Sequence, residues 1–316
     1  MGRMKAKIPD EALIENFKHD CFIRGLSSHT IEGYMSSLKL FSLFLKENKY
    51  TLLSVDRQIL NQYIEHLRKR DIAIKTLKNR FSAFSSFYDY AVYEKYIKTN
   101  IVQNIRKRYI SCYKSDNVHG DRRKIISVKD MSMFIDSIFD IRDKTIALFL
   151  AKTGIRRTEL LNIDIDDIDL EKMRILLKPT HKRSNRVVFF DRETLSVFKR
   201  WLEIRSLSIE NGCKALFISY NTGNRINRSG VYKCFINWAE KCGLHNPSSN
   251  KISDHFTPHC CRHWFTTHLR RAGMSREFIM ELRGDRIHDA VDVYNHIDQE
   301  ELRKSYLAHI PQLGIY

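Results

Sequence analysis

The stretch His255–Gly273, HFTPHCCRHWFTTHLRRAG, decides how the rest of this chain is read. Thr257 can cap a helix, and Pro258 suits its first position because a prolyl ring fixes φ and needs no hydrogen bond there. Stepping about 100° per residue round that helix separates two faces. His259, Arg262, His263, Thr266 and Arg270 share one, and Cys261, Trp264, Phe265, Leu269 and Ala272 share the other. The apolar face implies packing against a core. The polar face brings His259 and Arg262 together near the helix N-terminus, where unpaired N–H groups and the helix dipole favour an anion. A surface helix with a polar face explains the same pattern equally well when it stands alone.

Cys242, His245, His255, His259, Cys260, Cys261 and His263 crowd the same region and invite a metal reading. No CxxC pair occurs, however, and Cys260 and Cys261 fall on different faces of the helix. Zinc spacing is not met, and no metal site is expected.

Two further segments carry polar groups in an ordered way. In AKTGIRRTELLNI (Ala151–Ile163), Gly154 breaks an apolar helix and Arg156 begins a new polar turn. Glu159 lies three residues on, within reach of the Arg156 guanidinium. In ELRGDRIHDAVDVYNHI (Glu281–Ile297), a turn at Gly284 leads to a short helix ending near Tyr294. The chain has 14 tyrosines, so Tyr294 gains weight only from its neighbours.

The surrounding 316 residues suit one large domain or two ordinary ones. Hydrophobic residues make up 43 %, as in a globular protein. Lys and Arg exceed Asp and Glu by 54 to 37, a net charge of +17, which favours a polyanionic partner and nucleic acid first. No apolar run is long enough to span a bilayer, and the beginning MGRMKAKIPDEALIENF lacks a signal peptide's apolar stretch. Seven cysteines without framework spacing fit reduced thiols, so a cytoplasmic protein is expected.

Residues 9–110 read as nearly all helix. Ser28 can cap a helix with apolar residues at Ile31, Tyr34, Met35, Leu38, Phe41 and Leu45, and a later helix lines up Leu77, Phe81, Phe84, Tyr88 and Ala91. Residues 111–124, polar and aperiodic, read as a linker. Residues 125–316 mix types: helices near 128–138, 142–152, 192–208, 228–242 and 258–272, and strands at KMRILLK and RVVFF flanking the basic turn Pro179–Asn185. The expected class is mainly α with a small antiparallel sheet (α+β).

Taken jointly, these segments resemble the tyrosine recombinase (phage integrase) family. TGIRRTEL (Thr153–Leu160) resembles its first box, HCCRH (His259–His263) its HxLRH, and VYNH (Val293–His296) the IYTH that carries the nucleophile. The glycine of the family's LGH box aligns with Gly284, ten residues before Tyr294. The helical first block resembles the family's core-binding, SAM-like DNA-binding domain, and 125–316 its catalytic domain. RGDR and the tail HIPQLGI look like archaeal Xer-like members.

The resemblance implies a site-specific recombinase. Arg156 and Arg262 would clamp the nonbridging oxygens of a DNA phosphate, and Tyr294 would attack it to give a 3′-phosphotyrosine, with His259 as acid/base partner. A lysine of the turn before a strand would protonate the leaving 5′-oxygen: Lys178, Lys182 and Arg183 compete in KPTHKRSNRVVFF, Lys182 is the choice, since KRSNR resembles the family's K-x-G-x-basic turn, and Lys178 is the runner-up. No cofactor is implied, because the covalent intermediate conserves bond energy. The implied partners are double-stranded DNA and further copies of the chain, dimer to tetramer on DNA, with no membrane.

Two departures stand out. Cys261 replaces the HxLRH leucine, and Asp285 occupies the third-box histidine position. An ionised carboxylate cannot donate to a phosphate, so Asp285 is expected to orient its neighbours, together with Glu159. In QEELRKSYLAHI (Gln299–Ile310), Leu302, Tyr306, Leu307 and Ile310 can dock on a neighbouring subunit or fold back on their own domain. Type IB topoisomerase-like relaxation, and a catalytically silent DNA-binding regulator, remain as alternatives.

Overall fold

The computed structural model describes residues 8–111, 125–179, 185–208, 212–285 and 297–315. The chain divides into two compact units, Met1–Gly120 and Asp121–Tyr316. Among the described residues, no helix is long and apolar enough to cross a membrane.

The first unit is helical: α1 (Asp10–Ile23), α2 (Ser28–Glu47), α3 (Arg57–Lys69), α4 (Ile74–Tyr93) and α5 (Val102–Ile105), the last running on into a π turn. Aromatic side chains fill its core, with Phe41 and Phe84 stacked at 4.6 Å and Phe17 edge-on to Phe87 at 5.5 Å. The α4 stripe Leu77, Phe81, Phe84, Tyr88 and Ala91 is buried throughout. Tyr88, deep in that core, donates its hydroxyl to the Leu52 carbonyl at 2.7 Å. The cap of α2 is Ser27 rather than Ser28: Ser27 has extended dihedrals and its hydroxyl accepts from the Thr30 N–H, whereas Ser28 is already helical.

The second unit packs helices α6 (Val128–Asp136) to α13 around a three-stranded antiparallel sheet of β1 (Ile168–Asp169), β2 (Arg174–Leu177) and β3 (Arg186–Phe189), in that order. Ile175 pairs with Ile168 on one side and Val188 on the other. β1 is too short for an alternating pattern to mark it in the sequence. α7 (Ile141–Thr153) is buried over its whole second half, so apolar residues surround it instead of forming a stripe. Against it lie α9 (Arg192–Ser208), α10 (Arg228–Lys241) and α11 (Pro258–Arg271).

Gly154 ends α7 at φ +62°, in the left-handed region, and a Cβ there would stand 2.3 Å from the Phe265 ring. Both facts demand glycine. The chain then turns into α8 (Arg157–Leu161), which places Arg156 at a helix start.

α12 (Arg276–Arg283) leads to Gly284, and α13 (Gln299–His309) carries the C-terminal segment back onto its own unit. Leu302, Tyr306 and Ile310 are buried there with Leu269, Phe265 and Phe189. The remaining tail is anchored by charge. Lys152, wholly buried, donates at 2.6 Å to each of Asp191, Glu193 and the Pro311 carbonyl. Glu193 also accepts the Leu313 N–H at 3.0 Å and the Gly314 N–H at 2.5 Å. Of the two dockings open in the sequence, this chain adopts the one on its own domain.

Candidate active site

Thr257 caps α11, its N–H directed at Cys260 Sγ at 3.3 Å, and Pro258 begins the helix. Trp264, Phe265 and Leu269 are buried as the wheel requires, but Ala272, expected among them, is exposed because the helix has ended there. Arg262 also departs from the simple two-face picture. It begins on the polar face yet is only 4 % exposed, since its guanidinium reaches across to neighbouring loops.

Those reaches define the site. Arg262 Nη1 donates to the Gly154 carbonyl at 2.7 Å, and Nη2 to the Arg283 carbonyl at 2.8 Å and Asp285 Oδ1 at 3.0 Å. Arg156 Nη1 donates to the same Arg283 carbonyl at 3.3 Å, and its Nη2 lies 3.5 Å from the same Asp285 oxygen. Arg283 Nε approaches the other Asp285 oxygen at 3.0 Å. Two guanidiniums 106 residues apart in sequence thus converge on one carboxylate oxygen. Burial, with the charges of Arg156 and Arg283, pushes Arg262 down to about 9, against the opposing pull of Asp285 and Glu159. It remains charged at neutral pH, in surroundings that favour an anion.

Glu159 supports Arg156 from behind. Its carboxylate accepts the Arg156 N–H at 2.7 Å and Arg156 Nη1 at 3.3 Å. Its principal partner is one that the sequence reading missed. Arg186, at the start of β3, meets it fork to fork, Nη1 to Oε1 at 3.0 Å and Nη2 to Oε2 at 2.9 Å, while Nε donates to the Leu282 carbonyl at 3.1 Å. Burial would raise the Glu159 carboxyl, but the hydrogen bonds and charge of Arg186, then the N–H and charge of Arg156, bring it below its usual range. Gly284 sits at φ +57°, in the left-handed region, and a Cβ on it would lie 2.8 Å from the Arg186 side chain, so both favour glycine at that turn. Nothing in RVVFF marked its arginine as buried. The only available signal was a charge at the first residue of a strand otherwise facing the core.

His259 lies on the exposed side of α11, its ring 4.7 Å from that of His263 and nearly perpendicular to it. It lines a cavity of about 430 Å³ together with Arg156, Arg262, Thr257, Tyr232, Arg157 and Arg228. Lys178 is elsewhere in its contacts: it pairs with Asp164 and, at 3.1 Å, with Asp167, and it does not line this cavity. Lys182 and Tyr294 lie outside the described residues. Among the described residues, no three His, Cys, Asp or Glu side chains are placed to hold a metal ion. Cys260 instead contacts the His255 carbonyl at 3.4 Å, and Cys261 is fully buried in the core.

Residues 127–301 match the phage integrase family, and residues 14–95 match the phage integrase, N-terminal SAM-like domain. The chain belongs to the phage integrase family. It is a tyrosine recombinase homologue, an enzyme of site-specific recombination. It is 28 % identical over 294 residues to tyrosine recombinase XerC of Proteus mirabilis, covering 92 % of this chain and 90 % of that one. With XerC of Psychromonas ingrahamii it shares 28 % over 302 residues, covering 94 % and 95 %. Solved integrase-family structures share the fold. XerH bound to palindromic difH aligns with a TM-score of 0.67 at 20 % identity, over 92 % of this chain and 83 % of that one. A lambda integrase tetramer bound to a Holliday junction gives 0.67 at 16 %, over 93 % and 81 %.

Proposed function

We propose that this chain cuts and rejoins double-stranded DNA by transesterification at a backbone phosphate, with Tyr294 as nucleophile. A phosphodiester resists attack because it is already anionic and its alkoxide leaves poorly. A catalyst must neutralise charge at phosphorus, deliver a nucleophile and protonate the leaving oxygen. Arg156 and Arg262 hold the nonbridging oxygens, His259 moves the proton at the attacking or leaving oxygen, and Tyr294 forms the 3′-phosphotyrosyl bond as the 5′-oxygen departs. Lys182 protonates that oxygen. Lys178, engaged by two carboxylates, is less well placed for the task. Glu159 and Asp285 orient the arginines.

The observation supporting this reading is the convergence of Arg156 and Arg262 on one oxygen of Asp285. Two guanidiniums that share a carboxylate oxygen are spaced to share a phosphate oxygen. Because bond energy is kept in the phosphotyrosine, resealing by a 5′-hydroxyl needs neither ATP nor another cofactor. Residues 9–110 act as the core-binding domain, 111–124 as linker and 125–316 as catalytic domain, in a cytoplasmic protein that works as a dimer or tetramer on DNA.

A suicide duplex, nicked so that the cut strand's short end diffuses away, tests this directly. The expected result is a covalent protein–DNA adduct that is lost in Tyr294→Phe. Absence of an adduct from the wild-type chain would overturn the reading, and monomeric relaxation of any supercoiled plasmid would redirect it to a topoisomerase.

A further inference from the structure

Arg156 and Arg262 do not account for all the positive charge around the cavity. Arg157, at the start of α8, lines it as well, with Arg228 and Tyr232 from the first turns of α10. The Arg157 guanidinium lies over the Tyr232 ring, 5.3 Å from its centroid, a cation–π contact that fixes its direction. Arg157 and Arg228 line the same cavity, and burial, then the charge of Arg228, make protonation of Arg157 harder. Among the described residues, neither forms an ion pair with a carboxylate. This contrasts with the other arginines of the site, since Arg156, Arg262 and Arg283 share Asp285 and Arg186 holds Glu159.

Like charges beside a cavity repel, and an anionic ligand relieves that repulsion. The cavity, at about 430 Å³, is also larger than the five heavy atoms of one phosphate group require. A DNA strand offers what is missing, because it carries a charge at every nucleotide and so brings a second phosphate close to the one held by Arg156 and Arg262.

We propose that Arg157 and Arg228, with Tyr232 steadying Arg157, form a second phosphate seat for the backbone phosphate adjacent to the one that is cut. This rests on the reading of the cavity as a DNA-cleavage site and extends it. The seat fixes the strand's register, so that the phosphate to be cut, and not its neighbour, comes to lie between Arg156 and Arg262.

The test uses the full chain and the duplex found by sequencing DNA attached to Tyr294, remade with a neutral methylphosphonate at each phosphate flanking the cut. In the wild type, neutralising one flank should weaken binding about tenfold, the loss of a charge-assisted contact. The Arg157→Gln/Arg228→Gln double variant should bind the unmodified duplex about that much more weakly and lose nothing further from the methylphosphonate. Its log–log dependence of affinity on salt should fall by about one unit on any duplex, and Arg157→Lys/Arg228→Lys should restore that slope. An unchanged melting temperature separates these effects from misfolding. The seat is refuted if the wild type ignores both neutralised flanks, or if the Gln variant still loses the same factor. Should the wild type form no adduct on any DNA while the salt slope still falls, the cleavage reading fails and the anion seat stands.

Discussion

Arg262 and Asp285 are joined by a hydrogen bond of 3.0 Å from Nη2 to Oδ1, which puts a carboxylate against a buried guanidinium. The same oxygen is 3.5 Å from Arg156, so this aspartate links both arginines.

Asp285→Ala should therefore slow covalent adduct formation about tenfold, the scale of one charge-assisted hydrogen bond at about 1.5–3 kcal/mol. DNA affinity should not fall, because the variant removes a negative charge from beside three guanidiniums. Single-turnover assays on a suicide duplex, with binding titrations alongside, separate the two quantities. An adduct rate equal to the wild type's would make Asp285 a bystander.

Arg186 is expected to position Arg156 through Glu159, whose carboxylate both residues contact. Arg186→Met leaves the Glu159 carboxylate buried and short of its main partner, which costs about 3–5 kcal/mol. Adding Glu159→Met replaces the ion pair by apolar contact and should recover much of that stability, as buried pairs of this kind allow. Cleavage should stay impaired in the double variant, since Arg156 has then lost the carboxylate that orients it. Urea denaturation paired with adduct assays reads both outcomes. Recovery of activity along with stability would show that Arg186 and Glu159 matter only to folding.

The same pair predicts an acid limit. The Glu159 carboxyl is held below its ordinary value, about 4.3 in an unfolded chain. A depressed carboxyl stabilises the fold fully above the unfolded value, and that contribution disappears as pH falls through the lower, folded one. The stability of the wild type relative to Glu159→Gln should thus be constant at neutral pH and shrink below about pH 4. A difference that grows on acidification would contradict the assigned sign.

Gly154 links fold and chemistry through its conformation and its carbonyl. Gly154→Ala forces a side chain into the left-handed region, at about 1–2 kcal/mol, and drives Cβ into the Phe265 ring. Phe265→Leu in the same chain should relieve the collision but not the backbone cost. Because the Gly154 carbonyl accepts from Arg262, both variants should cut more slowly than their stability alone explains. Adduct rates measured well below each variant's melting temperature check this.

The α11 wheel and the Thr257–Pro258 start were readable from the sequence because short-range rules govern helix ends and faces. So were the major helices of the second unit, within about two residues at each end. Arg186 was not, because its significance depends on a strand pairing and a glycine turn about a hundred residues away. The burial of Arg262 was hidden for the same reason: its partners are carbonyls of distant loops, and carbonyls have no residue-type signature. Arg157 and Arg228 stood in plain view but looked like ordinary surface charge until the cavity brought them together.

The C-terminal tail could dock in either of two ways as judged from the sequence. On its own domain it buries Leu313 and Ile315 in the main core, and it gives Lys152 and Glu193 backbone partners at Pro311, Leu313 and Gly314. Each buried aliphatic side chain contributes about 1.5–3 kcal/mol. Removing residues 311–316 also withdraws hydrogen bonds from a wholly buried lysine and a nearly buried glutamate. In a unit of this size each kcal/mol lowers the melting temperature by about 2–4 °C, so the truncated, DNA-free chain should melt on the order of 10 °C lower. The drop should not depend on protein concentration, since the contact lies within one chain. A truncated chain that melts like the full-length protein, or a full-length melting temperature that climbs with concentration, would instead mean that the tail is seated on another copy.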